Sequence, residues 1–359
     1  MKFQVLENKY YKQLKSENYN YLFSKENGYM MQWGKTKEED PGRAPAPVLA
    51  DIEVVASCKG PGGKICSFCY KSNIPGHNYM TFEEYKIIFS KLPKSLTQIA
   101  FGTDADLSIN PDIWKIFEYT RENGIIPNVT VADITPETAQ KMSNVLGAAA
   151  VSWYGIHTKK DYCYDSIKYL TDAGLEQTNM HFMLSQETFP FIDELINDIK
   201  NDPRLEKLNA VVFLSLKQKG RGKTFKGCSA KQFESVIQRM LDNNIPFGFD
   251  SCSAVKFLRG VKNIVPEETF KTYKDMTEPC ESFTQSIYIN EKGIIYPCSF
   301  MEEEYWNDGK QKSWNLLSNE IKDDKEFIKK IWNSNEAKLF SFNAKKCQSC
   351  GQGCQYYQV

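Results

Sequence analysis

Segments typical of buried strands alternate with segments typical of amphipathic helices from residue 51 to residue 250. Strands that alternate with helices form right-handed βαβ units, so the pattern predicts an α/β protein with a parallel sheet of about seven strands. An open, partial (β/α) TIM-like barrel fits that number better than a closed barrel of eight. The strand segments cover residues 51–56, 97–102, 126–131, 147–153, 178–184, 209–216 and 245–250. The helix segments include residues 81–92, 111–124, 135–147, 191–201 and 229–244.

Composition and charge exclude several classes of protein. Of the 359 residues, 41% are hydrophobic and 25% charged, which is ordinary globular composition. The first twenty residues lack the apolar region of a secretion signal, and no run of eighteen apolar residues is present. We therefore expect a cytoplasmic protein that does not span a membrane. Lys plus Arg (45) equals Asp plus Glu (45), so no basic excess points to nucleic acid.

The eleven cysteines are many for a cytoplasmic chain, where clustered thiols bind metal more often than they form disulfides. One group follows the first predicted strand, another lies near the C-terminus, and the remaining cysteines are single. The first group is Cys58, Cys66 and Cys69; the second is Cys280, Cys298, Cys347, Cys350 and Cys354; the single residues are Cys163, Cys228 and Cys252. We interpret the two groups as metal sites and Cys163 and Cys228 as packing or surface residues.

The first group lies in the loop "SCKGPGGKICSFCYKSN" (57–73), at the C-terminal end of a strand, where barrels of this kind collect their ligands. Three thiolates on a cluster of four irons leave one iron open to an outside ligand. Gly60, Gly62 and Gly63, with Pro61, are suited to the turn that brings the sulfurs together. The alternative is a structural zinc site, which needs a fourth protein ligand such as His77.

The loop resembles the cluster motif of radical S-adenosylmethionine (SAM) enzymes, in which three cysteines after the first barrel strand hold a [4Fe-4S] cluster and SAM chelates its fourth iron. The ending "CSFCY" has the family's form, although seven residues stand in the first gap where the family has three. The resemblance implies that Phe68 packs near the adenine of SAM. It also implies that reduction of the cluster cleaves SAM to a 5′-deoxyadenosyl radical, with an external protein as electron donor.

The resemblance further implies SAM contacts on the next three strands. The segment "AFGTDADLSINPDIW" takes the place of the family's Gly-Gly-Glu element, so Gly102, Thr103, Asp104 and Asp106 are candidates for binding the amino group. Thr130 and Ser152 fall where the family contacts SAM with small polar side chains. The alternative for the aspartate segment is a turn that caps the following helix, and Thr130 and Ser152 are equally compatible with the edge of the core.

The second cysteine group resembles the auxiliary-cluster extension of these enzymes, known as the SPASM domain or, in its shorter form, the twitch domain. Cys280 and Cys298 flank a probable hairpin that turns at "NEKG", with Gly293 placed as in that motif, and "CQSCGQGC" supplies Cys347, Cys350 and Cys354. Five cysteines favour one auxiliary [4Fe-4S] cluster over two, and a zinc knuckle is the alternative. The expected regions are an N-terminal extension (1–50), the barrel (51–260) and the auxiliary-cluster domain (261–359).

Residues near the end of the last barrel strand are candidates for the substrate reaction. Asp250 and Cys252 lie on the rim, where we expect a catalytic proton or hydrogen donor or a substrate contact. The basic loop 217–227, with Lys217, Lys219, Arg221 and Lys223, is a candidate for binding an anionic segment or the SAM carboxylate.

The whole pattern resembles radical SAM maturases, oxidoreductases that modify ribosomally made precursor peptides by hydrogen abstraction and bond formation. We therefore expect a precursor peptide as substrate. The first fifty residues are too few for a complete winged-helix peptide-recognition domain, so its leader would bind elsewhere or through a separate protein. Two alternatives remain open: a radical SAM dehydrogenase of a small molecule, and a noncatalytic iron–sulfur or zinc protein that binds a partner.

Overall fold

The computed structural model describes residues 2–39, 41–278, 280–302 and 314–346. The N-terminal region forms a four-stranded antiparallel sheet with its strands in chain order. Its strands are β1 (Phe3–Glu7), β2 (Tyr11–Ser16), β3 (Asn20–Ser24) and β4 (Met30–Trp33). Tyr21 and Phe23 on β3 are buried, and the Lys12 ammonium donates to the Leu96 carbonyl at 2.8 Å, which joins this sheet to the barrel.

The main sheet has ten strands, and seven of them match the predicted strand segments. The seven are β5 (Leu49–Glu53), β6 (Gln98–Gly102), β7 (Ile126–Val131), β8 (Ala148–Trp153), β9 (Thr178–Leu184), β10 (Ala210–Ser215) and β11 (Phe247–Phe249). They run parallel in the order β11-β10-β9-β8-β7-β6-β5. This arrangement confirms the predicted open (β/α) barrel.

The C-terminal region completes the sheet with β12 (Ser286–Ile289), β13 (Ile294–Tyr296) and β14 (Trp314–Asn315). Strand β12 pairs in parallel with β5, so it is an eighth parallel strand, and β13 and β14 follow it antiparallel. The β12–β13 connection is the predicted hairpin, and Gly293 takes a positive φ of 73° in its turn. The predicted C-terminal domain therefore shares the sheet of the barrel.

Helices cover the outer face of the sheet, and all five predicted helices are present within a few residues of their expected bounds. The helices of the barrel are α1 (Phe82–Phe89), α2 (Ile113–Glu122), α3 (Pro136–Val145), α4 (Asp161–Asp172), α5 (Ile192–Asn201), α6 (Ala230–Asp242) and α7 (Ala254–Val261). They are followed by α8 (Glu267–Met276), α9 (Asp324–Phe327) and α10 (Asn335–Lys346). Thr81 and Glu84 form the predicted capping box of α1, and Thr135 caps α3 ahead of Pro136. In the described residues, no helix is both long and apolar enough to cross a bilayer.

The two faces of the strands differ in side-chain size, and this difference creates the site. Ile99 and Phe101 on β6 are buried, whereas Ala100 and Gly102, which alternate with them, are exposed to a cavity whose wall Phe101 also joins. Thr130 on β7 faces the same cavity. Bulky branched residues normally fill the interior of a (β/α) barrel, so small side chains at these positions leave it hollow.

Candidate active site

A cavity of about 530 Å³ occupies the interior of the open barrel and reaches the C-terminal ends of its strands. Cysteines of both predicted groups line it: Cys58, Cys66 and Cys69 on the loop after β5, and Cys280 and Cys298 from the C-terminal region. Its volume falls within the range of pockets that hold a cofactor-sized molecule. Cys347, Cys350 and Cys354 lie outside the described residues.

The glycines of the first cysteine loop fix its path. Gly60 has φ 73°, and a Cβ there would lie 1.9 Å from the Lys64 carbonyl oxygen, so only glycine fits. Its N–H donates to the Cys58 sulfur at 3.3 Å. Pro61, Gly62 and Gly63 form a short 3-10 turn, with the N–H of Gly62 donating to Asp133 at 2.9 Å. The longer first gap is therefore taken up by a compact turn, as the glycines predicted.

The basic loop after β10 holds the cysteine loop in place through hydrogen bonds. The Arg221 guanidinium donates to the carbonyl oxygens of Cys66 at 2.8 Å and Asn73 at 2.9 Å, and its backbone N–H donates to Cys69 at 3.0 Å. Lys219 donates to the carbonyls of Phe300 and Glu302. These two side chains, which the sequence makes candidates for binding an anionic ligand, position the backbone around the cavity.

The first three thiols share a partly buried environment. Burial, followed by the charges of Cys58 and Cys69, raises the pKa of the Cys66 thiol to about 12, and burial raises the pKa of Cys58 as well. A bound cation reverses this effect, because a thiol that coordinates metal is deprotonated. The site therefore favours the thiolate form only when positive charge is bound within it.

The spacing of the sulfurs in the described residues can be compared with the spacing in each kind of metal site. Within the described ranges, no three cysteine sulfurs all lie within 4.8 Å of one another. Tetrahedral zinc with bonds of about 2.3 Å holds its sulfurs ~3.8 Å apart. A four-iron cube spreads its thiolates more widely, because each one bonds a different iron. His77, the fourth ligand that zinc would need, is exposed and is not among the residues that line the cavity.

Asp104 is the predicted SAM contact with the most informative environment. Its side chain is buried and faces the cavity; one carboxylate oxygen accepts from the Ser108 N–H at 3.0 Å, and the other has no hydrogen-bond partner among the residues that the structure describes. Burial, followed by the neighbouring Asp106, raises the pKa of Asp104 to about 6. A buried acceptor without a partner is costly, so the site is suited to a donor supplied by a ligand.

The other predicted SAM contacts divide into two sets. Gly102, Thr103, Thr130 and Ser152 line the cavity, and the Thr103 hydroxyl donates to the Thr130 carbonyl at 3.3 Å. Asp106 is not among the lining residues; it pairs with Lys59 at 3.0 Å. The structure thus brings the aspartate segment to the cavity through Asp104.

Phe68 lies in an aromatic cluster beside the cysteines. Its ring centroid is 5.1 Å from that of Tyr154 and 5.7 Å from that of Phe225. Phe68 and Tyr154 both line the cavity, and burial raises the pKa of the Tyr154 hydroxyl, which therefore stays neutral. The two rings form an apolar wall suited to a flat ligand group such as adenine.

The second group of thiols includes a residue that the sequence left single. Cys252, which follows β11, lines the cavity together with Cys280 and Cys298 and lies within electrostatic reach of both. Burial raises the pKa of Cys280 to about 11 and of Cys298 to about 12, and the charge of Cys252 contributes to both shifts. Asp250, two residues earlier, also lines the cavity and pairs with Lys217 at 2.7 Å.

A buried ionic network joins the two cysteine regions. The Lys71 ammonium, two residues after Cys69, lies 2.8 Å from Glu53 and also pairs with Glu302, four residues after Cys298. The Tyr288 hydroxyl donates to Glu53 at 2.7 Å and accepts from Lys71 at 2.8 Å. Burial lowers the pKa of Lys71, but the two carboxylates outweigh it and leave the pKa raised. Lys71 is therefore charged, and it fastens the first loop to the C-terminal region.

Sequence analysis missed this network and several residues of the cavity. Asp51 faces the cavity from β5, and burial raises its pKa to about 6. Glu281 lies near it, and burial, followed by the charge of Asp51, raises its pKa to about 7. His181 on β9 also lines the cavity, and burial lowers its pKa to about 4, so it is neutral. The sequence of β5 and β9 contained a signal for Asp51 and His181, because these polar side chains interrupt otherwise apolar strands.

The fold was compared with solved structures. Streptococcus suis SuiB bound to its precursor peptide SuiA matches 96% of this chain and 99% of its own, with a TM-score of 0.62 and 14% identity. SuiB bound to S-adenosylmethionine matches 99% of this chain and 100% of its own, with a TM-score of 0.61 and 12% identity. No protein-family model and no curated protein sequence matches the chain. The described part of the chain therefore has the fold of SuiB, which confirms the predicted partial barrel.

Proposed function

We propose that this protein is a radical SAM enzyme that modifies a ribosomally synthesised precursor peptide. One observation carries the proposal: two groups of cysteines, from opposite ends of the chain, open onto a single cavity inside the barrel. The fold shared with SuiB supports it, since that protein is bound to a precursor peptide in one structure and to S-adenosylmethionine in another.

Cys58, Cys66 and Cys69 hold a [4Fe-4S] cluster in this proposal, and SAM occupies the open iron. When bound and reduced, the cluster cleaves SAM to a 5′-deoxyadenosyl radical that abstracts hydrogen from the substrate. Asp104 accepts from the methionyl amino group with its unpartnered oxygen. Phe68 packs on the adenine, while Gly102, Thr103, Thr130 and Ser152 leave room for SAM and offer it small polar contacts. We do not assign a SAM contact to Asp106, which is paired with Lys59.

The size of the cavity bears on the substrate. About 530 Å³ accommodates a cofactor-sized molecule and little more, so a substrate reaches SAM by inserting one side chain. A peptide can do this while the rest of its chain stays outside the barrel. Asp250, held by Lys217, lies on the cavity wall where it can contact that side chain.

The second cysteine group holds one auxiliary [4Fe-4S] cluster, with Cys280 and Cys298 as ligands and Cys347, Cys350 and Cys354 as the source of the remainder. An external electron donor supplies the reducing equivalents. The N-terminal sheet of four strands is not a winged-helix arrangement, so a separate protein that binds the leader of the precursor remains part of the proposal.

The test is to reconstitute the protein anaerobically with iron and sulfide, add SAM and a reductant, and measure 5′-deoxyadenosine. We expect SAM cleavage in the parent protein and in the control Cys228→Ala, and none when Cys58, Cys66 and Cys69 are replaced by alanine together. Coexpression with a candidate precursor, followed by mass spectrometry, should then reveal the loss of two hydrogens for each new bond. Stoichiometric zinc with little iron would refute the proposal. SAM cleavage with dehydrogenation of a small molecule and no peptide product would favour the dehydrogenase.

A further inference from the structure

The first cysteine loop has an inner and an outer side. Cys66 and Phe68 line the cavity, whereas Lys64, Ile65 and Ser67 are exposed and are not among the lining residues. Ile65 is 39% exposed although it is apolar. The Cys66 side chain is itself only half-buried, so a thin layer of the loop separates this thiol from the outside of the protein.

Two neighbouring loops extend this outer side into one surface, the outer loop face. The Lys64 ammonium donates to the His157 carbonyl at 2.8 Å, and the Lys64 carbonyl oxygen lies 3.1 Å from Nε2 of the His157 ring. The ring of Phe68 packs between the other two loops, with its centroid 6.0 Å from that of His157 and 5.7 Å from that of Phe225. The loop after β8 and the basic loop after β10 therefore flank the cysteine loop.

The outer loop face carries a basic excess, although the whole chain has no net charge. Each of the three loops contributes one exposed lysine that forms no ion pair in the described part of the chain: Lys64, Lys159 and Lys223. Three carboxylates contact the same loops, and three further cations of these loops balance their charge. The carboxylates are Asp106, Asp133 and Glu187, and the cations are Lys59, Arg221 and Lys226.

We propose that the outer loop face docks the external electron donor, and that this donor is an acidic protein that carries single electrons on a flavin or an iron–sulfur centre. The inference rests on the proposed function, because it presumes a cluster on the first group of cysteines. SAM and the substrate side chain occupy the cavity side of that cluster, so the electron enters from outside. The donor loses one electron and the cluster gains it, and no bond or proton changes place.

The charges favour such a donor over the competing occupant, an acidic segment of the precursor peptide. Complementary charges steer two proteins together and raise their association rate. Exposed Ile65 supplies an apolar contact among the lysines, as is typical of the centre of an interface with a polar rim. A peptide substrate must reach into the cavity, whereas the three lysines are not among the residues that line it.

The first test is binding of an acidic flavodoxin, used as the probe, to the anaerobically reconstituted protein in calorimetry at low and high salt. The test variant carries Lys64→Glu, Lys159→Glu and Lys223→Glu. The matched control makes the same change of charge at exposed lysines outside the three loops: Lys94→Glu, Lys271→Glu and Lys329→Glu. The test variant should bind about a hundredfold more weakly and lose the salt dependence, and the control should lose about threefold or less. Equal weakening in both variants would overturn the proposal.

The second test is the rate at which reduced flavodoxin reduces the cluster, followed by stopped-flow absorbance. It should fall about a hundredfold in the test variant, in step with binding. If loss of the bond from Lys64 to His157 costs this variant its iron, Lys159→Glu with Lys223→Glu replaces it and should still slow reduction about tenfold.

The remaining outcomes separate this inference from the proposed function. If the test variant loses affinity for a candidate precursor peptide and keeps its affinity for flavodoxin, the face binds the leader and the proposal is overturned. If the parent cleaves SAM with dithionite but flavodoxin neither binds nor reduces it, the docking inference fails alone. A parent protein that holds no iron after reconstitution is a failure of the proposed function.

Discussion

Arg221 offers a direct test of how the first cysteine loop is held. Its guanidinium donates to the carbonyl oxygens of Cys66 in the middle of the loop and Asn73 at its end, at 2.8 and 2.9 Å. Replacement by alanine removes both bonds and leaves the two carbonyls without their donor. The backbone bond from residue 221 to the Cys69 carbonyl remains, so the basic loop itself should keep its place.

The size of the effect follows from these two bonds. A hydrogen bond from a charged donor contributes about 1.5–3 kcal/mol when buried, and partial exposure of Arg221 reduces this to roughly 1 kcal/mol each. Loss of both therefore costs about 2 kcal/mol of local stability. Because each 1.4 kcal/mol is a factor of ten, the population of the open loop should rise about thirtyfold.

Hydrogen exchange measured by mass spectrometry tests this expectation. Peptides from residues 57–73 should exchange about thirtyfold faster in Arg221→Ala, whereas peptides from β9 should not change, because the opening is local. Lys223→Ala is the matched control, since Lys223 is a basic residue of the same loop with an exposed side chain. If Arg221→Ala and Lys223→Ala protect residues 57–73 equally, the guanidinium does not hold the loop and the reasoning is wrong.

Three further perturbations probe the site. Gly60→Ala should abolish iron binding by the first loop, because its Cβ would collide with backbone, and Gly248→Ala on β11, whose Cβ meets nothing within 4 Å and whose φ is not positive, should retain it in an iron assay. The pKa of Asp104 is raised to about 6, and its ionised form is the one that accepts a hydrogen bond from SAM. The affinity of the protein for SAM should therefore fall as the pH drops through about 6. Asp104→Asn should bind SAM about ten- to a hundredfold more weakly with a flat pH profile in calorimetry, and an unchanged affinity would make the segment a capping turn. Lys71→Met leaves Glu53 and Glu302 buried without a cation, so we expect the free energy of unfolding to fall by about 3–5 kcal/mol. The loss should be smaller at acidic pH, where the carboxylates become protonated, and thermal unfolding measures it. An unchanged melting temperature at pH 8 would contradict it.

Signals within short stretches of the sequence predicted most of the barrel's helices and strands. The capping box at Thr81 and the Thr135-Pro136 start placed two helices, and β-branched alternation placed the seven barrel strands to within a few residues. The turn glycines of the cysteine loop were predictable as well, because their backbone angles exclude other residues. The number of strand segments then favoured an open barrel over a closed one of eight strands.

Contacts between distant parts of the chain were not predictable in this way. Strand β12 joins β5 across more than two hundred residues, and no local pattern specifies that partner. Arg221 could be recognised as a cation, but only the fold reveals that loop carbonyls accept its hydrogen bonds. Cys252 was ambiguous for the same reason: its neighbours Cys280 and Cys298 come from beyond the last barrel strand.

The parallel array has eight strands and seven hydrogen-bonded seams, with β11 and β12 as its outermost members. Cys252 follows β11 by three residues, and Cys280 precedes β12 by six. Backbone pairing does not join β11 to β12 in the described residues, because the other edge of β12 pairs with β13. The part of the cavity wall between these two strands is therefore made by loops, including those that carry Cys252 and Cys280. Loop contacts of this kind open at a lower free energy than a hydrogen-bonded strand ladder does, so this side of the cavity should adjust most readily to a bound molecule.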